Sequence, residues 1–370
     1  METPREITVL QAAIILISTI IGVGVLALPR IAVLSGDTGA PLVTLLGILL
    51  AFFGLVMITL LGMRFPNQSL IRYSEVILGK PMARFGSIVI IAFFAVLTAL
   101  ASREFGEVVI TSVLRRTPLE ITVIVMLLLA AITTRNDITT FAYIHHFYSP
   151  IILAPVILIV ILSLKNAEVI RLLPIWGNEP NGMFIGVLTV AALFQGFFIL
   201  TMIIPSMRRP DRAMTASIWG MTIAGGLYLI IVIASLAVFG AEEVKLLLWP
   251  TLELAKTTSL PANILERLDA AFLAVWVTAV FTTLFSSYFL MIHATTELFQ
   301  LRNHRMFSLF FLPFVFIIAM VPDNVLQMYE LIEIVGRFGL LITVVYPTIL
   351  WVVALIRKKR GKNHATRTNR

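Results

Sequence analysis

The stretch STIIGVGVLALP, Ser18 to Pro29, reads as a hydrophobic helix broken by Gly22 and Gly24 and closed by Pro29. In a protein surrounded by water such a break would be a defect. Inside a bilayer it leaves backbone groups free at mid-depth, which lipid tolerates only where the gap lines a protein cavity or holds a ligand. Gly22, Val23 and Gly24 are therefore candidate binding residues.

Working outward, the 370 residues are 59% hydrophobic and 13% charged, and the apolar runs recur along the whole chain. That composition describes an all-α polytopic membrane protein. At roughly 20 apolar residues per span, about ten helices are expected: Val9 to Leu28, Ala40 to Leu61, Phe85 to Ser112, Ile121 to Thr134, Phe141 to Leu164, Met183 to Pro205, Thr215 to Phe239, Leu268 to Leu298, Met306 to Val321 and Leu331 to Ile356. The first follows Met1, Glu2, Arg5 and Glu6 and ends in Leu-Pro-Arg, not in a small-residue cleavage site, so it reads as a retained helix. With no cysteine, a disulfide framework, a thiolate metal site and thiol redox chemistry are excluded.

The net charge of +8 is a topology signal before it is a nucleic-acid signal. Arg64, Arg72, Lys80 and Arg84 share one loop, Arg208, Arg209 and Arg212 a second, Arg302 and Arg305 a third, and Arg357 to Arg360 open a basic tail, 357–370. The alternate loops carry Glu168, Glu179, Glu242, Glu243, Glu253 and Glu266. The positive-inside rule then puts both termini in the cytoplasm, with the tail able to meet anionic lipid headgroups. The longest polar stretches, Lys165 to Gly182 and Gly240 to Arg267, are expected outside, as caps or as a lid or docking surface.

Ten helices divide into two groups of five, and the sixth is interrupted as the first is, by Gln195 and Gly196 ahead of Pro205. Paired interruptions point to inverted repeats, roughly 7–164 and 183–356, with a site between helices one and six. Helix packing is the alternative use of such glycines.

The strings IGVGVLALPR (Ile21 to Arg30), LGK (Leu78 to Lys80), Arg103 with Glu107, WPT (Trp249 to Thr251), VWVTAVFTT (Val275 to Thr283) and PDN (Pro322 to Asn324) stand in order along the chain. Together they resemble the spore germination permeases, the B subunits of the germinant receptors of endospore-forming bacteria, within the amino acid, polyamine and organocation transporter superfamily. The resemblance implies a ten-span broken-helix transporter fold in the spore inner membrane. It also implies an A subunit and a C lipoprotein as partners, and a small germinant, typically an amino acid, as ligand.

For such a ligand, N–H groups near Gly22 to Gly24 would meet the carboxylate, and carbonyls at Gln195 and Gly196 the ammonium. A side chain at Gly22 would fill ligand space. Thr278, Thr282 and Ser286 share one helical face and, with Leu97 as an apolar wall, would meet the ligand side chain. Interhelical or back-bonding hydroxyls are the alternative. Arg103 and Glu107, one turn apart, form an ion pair that is either structural or a gate, with Glu104 beside them, and Glu330, Glu333 and Arg337 repeat the pattern.

A proton- or sodium-coupled amino acid transporter is the rival to a receptor subunit. His145 and His146 are expected near an interface, and Ser286 and Ser287 with helix-one carbonyls would be the oxygens of a sodium cage. No metal-ligand spacing, phosphate loop or nucleophile elbow appears, so no cofactor, metal or enzymatic reaction is expected.

Overall fold

The computed structural model of this chain describes residues 6–177, 182–257, 268–301 and 303–361. Glu179, Glu266, Arg302 and the tail beyond 361 lie outside the described residues. Before residue 178 run α1 (Val9–Ile20), α2 (Leu28–Gly36), α3 (Ala40–Arg64), α4 (Leu70–Leu78), α5 (Lys80–Ser112), α6 (Leu119–Thr133) and α7 (Ile138–Ser163). After residue 181 come α8 (Met183–Ala192), α9 (Leu200–Ile203), α10 (Ala213–Phe239), α11 (Ala241–Leu246) and α12 (Pro250–Thr257). The chain continues with α13 (Leu268–Leu298), α14 (Arg305–Phe310), α15 (Leu312–Ala319), α16 (Val325–Leu340) and α17 (Tyr346–Ile356).

Every expected apolar segment contains a helix, and the differences lie in the breaks. Among the described residues six helical stretches are long and apolar enough to cross a bilayer, and the pair Met183–Ala192 and Gln195–Ser206, bent by 42°, makes a seventh if it is counted as one span. Val9–Ile20, Leu119–Thr133 and Arg305–Ala319 are shorter apolar helices. The first expected span is two helices, since α2 carries on past Leu28 to Gly36 after a single 3-10 turn at Val23–Val25. Proline has no N–H and fits the first turn of a helix, so Pro29 and Pro313 open α2 and α15 instead of ending a span.

α1 is started by a capping box: Thr8 Oγ1 accepts from the Gln11 N–H at 3.2 Å, and Gln11 Oε1 accepts from the Thr8 N–H at 2.9 Å. The strand-like residue before it pairs in parallel with Met207, just past the bent sixth segment, so the entry to helix one and the exit from helix six are joined.

α13 is the most enclosed long helix, with 72% of its apolar window buried against 33% for α7, and it packs on α5, α7, α6 and α1. The site is therefore built around α13. On the outside, Leu45, Leu49 and Phe53 of α3, Phe85 and Ile88 of α5, and Phe310, Phe314 and Ile317 of α14 and α15 are exposed. Such apolar surface suits hydrocarbon and not water, and interior hydroxyls such as Thr44, Thr59 and Thr98 return their protons to the carbonyl four residues back. The protein is an integral membrane protein.

Candidate functional site

The carbonyls released by the break in helix one are held by side chains of neighbouring helices. Ser18 C=O accepts from Thr282 Oγ1 at 2.9 Å, Thr19 C=O from Thr283 Oγ1 at 3.0 Å, and Ile20 C=O from the Tyr228 hydroxyl at 2.7 Å. Gly22 C=O accepts from Trp276 Nε1 at 3.3 Å, and Val25 C=O from Thr251 Oγ1 at 2.7 Å. The break is thus a docking frame for α10, α12 and α13 as much as an opening, which is how a buried non-helical backbone meets its hydrogen-bonding requirement.

The glycines serve close approach. A Cβ on Gly22 would lie 2.7 Å from Thr283 Cβ, one on Gly24 3.2 Å from Leu193 Cδ2, and one on Gly196 2.8 Å from the Thr19 carbonyl oxygen. The expectation that a side chain at Gly22 enters ligand space is corrected: it meets α13 first. Gly196 brings the two broken segments into contact.

Between these segments lies a cavity of about 100 Å³, traced by the centre of a water-sized sphere. That is well above the ~15 Å³ threshold for one water and smaller than a cavity of about 150 Å³ that holds benzene, so the space suits a few waters or one small molecule. Of the expected residues, Val23, Gly24, Leu97, Gln195, Gly196 and Ser286 line it. Gly22, Thr278 and Thr282 do not: Thr278 Oγ1 bonds back to the Val275 carbonyl, and Thr282 bridges to Ser18. The physical reason is rotation of α13. Thr283, Ser286, Ser287 and Leu290, at i, i+3, i+4 and i+7, are its lining face, about one residue round from the expected stripe.

Gln195 is 1% exposed; its Nε2 donates to the Gly336 carbonyl at 2.7 Å, and its Oε1 is buried with no partner. The Gly336 carbonyl requires the NH₂ on that side, so Oε1 stays an unused acceptor.

Arg103 and Glu107 pair as spaced, with Nη2 to Oε1 at 2.9 Å and Nε to the same oxygen at 3.0 Å. Glu104 turns the other way. It lines the cavity at 4% exposure, and its Oε1 accepts from the Tyr329 hydroxyl at 3.0 Å, whose oxygen accepts from Trp249 Nε1 at 2.7 Å. Glu333 also reaches the lining, 3.9 Å from Arg337.

His145 is not interfacial: it is fully buried, with Nδ1 2.5 Å from Ser18 Oγ and Nε2 3.2 Å from Ser286 Oγ. It lies two turns inside α7, on the face turned to α13, whereas His146 is exposed. Ser286 Oγ also meets Thr19 Oγ1 at 2.8 Å, so its oxygen is engaged by side chains. Among the described residues no group of three or more His, Cys, Asp or Glu could hold a metal ion.

Outside the site, Asp137 caps α7 by accepting from the Thr140 N–H at 2.8 Å, and bonds from Thr140 hold its carboxyl below the usual carboxylate range.

Comparison with known proteins agrees with this architecture. The chain is 27% identical over 361 residues to spore germination protein YndE of Bacillus subtilis (strain 168), covering 96% of this chain and 98% of that one. It is 24% identical to spore germination protein B2 of the same organism, covering 98% of each, and 24% identical to spore germination protein GerLB of Bacillus cereus, covering 94% and 93%. The fold is similar to that of a substrate-bound, outward-open Na⁺-coupled sialic acid symporter, with a TM-score of 0.65 at 12% identity over 92% of this chain and 78% of that one. The family described as "Spore germination protein" matches residues 6–328. This chain, a transporter-type helical fold with two broken helices that carries the match over most of its length, belongs to the spore germination protein family.

Proposed function

We propose that the chain is a germinant-receptor subunit that binds one small neutral amino acid in the central cavity and passes a conformational bias to partner subunits. The observation that carries the reading is the cavity itself: about 100 Å³ at the contact of the two broken segments, mostly apolar, with hydroxyls, the Gln195 side chain and two carboxylates as its polar lining residues. That volume suits alanine-sized ligands and is too small for a nucleoside. A ligand acts on the conformation only through different affinities for two states, and a site between two helical groups is where such a difference arises.

The same reading takes 7–164 and 183–356 as inverted repeats, ten spans, both termini in the cytoplasm, and residence in the spore inner membrane. Its partners are an A subunit and a C lipoprotein, and it has no catalytic role. The curated relatives named for spore germination support the setting.

A second reading, a proton- or sodium-coupled amino acid transporter, is favoured by His145, which shares Ser286 with the cavity. A thermal-shift screen of purified protein against single amino acids, nucleosides and sugars tests ligand binding. Stabilisation by one small amino acid, lost in Gln195→Leu, is the expected result; stabilisation by none would refute it. Sustained counterflow of labelled amino acid in proteoliposomes lacking partner subunits would replace the receptor reading with the transporter.

A further inference from the structure

Among the described residues the Lys, Arg, His, Asp or Glu side chains lining the cavity are Glu104 from α5 and Glu333 from α16, both acidic. Glu104 is the more enclosed. It takes one neutral donor, the Tyr329 hydroxyl, on Oε1, and no hydrogen bond to its other oxygen is made by the described residues. The adjacent guanidinium does not serve it, because Arg103 is turned to Glu107 at 2.9 Å. Arg30 is directed to the Lys245 carbonyl at 3.2 Å. An ionisable group inside a membrane helix that lacks its full complement of partners marks a ligand or ion path.

A cavity-lining carboxylate with one neutral donor and no guanidinium or ammonium turned to it among the described residues asks for a ligand that brings both positive charge and N–H donors. We propose that Glu104 is the counter-charge for the ligand, so that the central cavity selects small primary ammonium compounds and excludes amine-free solutes of the same size. This rests on reading the cavity as the ligand site and adds the feature the ligand must carry. A bare metal ion fits less well, since the cavity offers few oxygens at any one point and no acidic cluster. The carboxylate of an amino acid is tolerated here and the ammonium is required, because a charge-assisted hydrogen bond to a desolvated carboxylate is the strongest contact the cavity can make.

Three probes share one two-carbon unit: L-alanine, ethylamine, which is alanine without its carboxylate, and propionate, which is alanine without its amine. Binding of each to the full chain in lipid nanodiscs is measured by calorimetry, for wild type and Glu104→Gln, with sodium replaced by choline as a control. The expected result is that ethylamine competes with alanine while propionate does not, and that Glu104→Gln weakens both amines at least tenfold. Glutamine keeps an acceptor for Tyr329 while removing the charge and turning the second oxygen into an NH₂ donor. Undiminished alanine binding in Glu104→Gln, propionate bound as well as ethylamine, or a signal that follows sodium and not the amine, overturns the inference. If the variant does not fold, the wild-type contrast of ethylamine with propionate decides it. Ethylamine binding that depends on Glu104 without any alanine binding would leave this inference standing and remove the amino acid reading; binding of none of the three removes both.

Discussion

Replacing Gly22 with alanine tests whether the helix-one break is set by packing against α13. The added methyl would stand 2.7 Å from Thr283 Cβ and 3.1 Å from its Cγ2, with Oγ1 nearer still. Carbon atoms in contact sit about 3.5–4.0 Å apart, so one of the helices must move. Thr283 has little freedom to yield, because a β-branched side chain is stiff at χ1 in a helix and its hydroxyl already donates to the Thr19 carbonyl at 3.0 Å. Overpacking of this kind costs about 1–3 kcal/mol. Thr283→Ala leaves the Cβ in place and relieves only part of the clash, whereas Thr283→Gly removes all three atoms. In a double-mutant cycle, Gly22→Ala with Thr283→Gly should therefore show a favourable coupling of at least ~1 kcal/mol. The assay is unfolding in detergent by SDS titration, followed by tryptophan fluorescence. Additive costs, within about 0.5 kcal/mol, would mean that Gly22 answers to something other than Thr283 and would refute the argument.

Arg103→Ala should leave Glu107 unpaired in a buried setting and destabilise by about 3–5 kcal/mol, read as loss of monodisperse protein; full abundance would refute a structural role for the pair. Thr251→Val keeps shape but strips the hydroxyl from the Val25 carbonyl, a loss of about 1–3 kcal/mol for an unsatisfied buried acceptor, measured in the same SDS titration. Asp137→Ala removes the cap of α7 and should cost ~1 kcal/mol. Because the Asp137 carboxyl is held below its usual value, that contribution is complete above the ordinary aspartate range and disappears as pH falls through the lowered value. Stability differences between wild type and Asp137→Ala that persist in strong acid would contradict this.

The ten apolar segments, the lipid-facing exterior and the two broken helices were legible from spacing and composition, because a bilayer forces long apolar helices and makes any interruption conspicuous. The Arg103–Glu107 pair was legible for the same kind of reason: it is a one-turn relation within a single helix. That Thr283, Ser287 and Glu104 line the cavity was not. Which stripe of α13 faces the cavity is a rotation of about 100° per residue, and in a helix carrying hydroxyls on several faces the sequence contains no reference direction. Neighbours on α1 and α5 supply that reference only after folding.

Sequence alone determined a polytopic helical membrane protein with interruptions in helices one and six, since hydrophobic length and backbone chemistry are local properties. Tertiary structure decided that the freed carbonyls are taken by Tyr228, Thr251 and Trp276, that His145 is buried against Ser18 and Ser286, and that Glu104 turns to the cavity while Arg103 turns to Glu107. Each is a partnership between residues remote in the chain, except the last, which depends on which neighbour a side chain meets. Hydrogen-bond partners and the sidedness of a charge are set by helix rotation and packing, and those are properties of the assembled bundle.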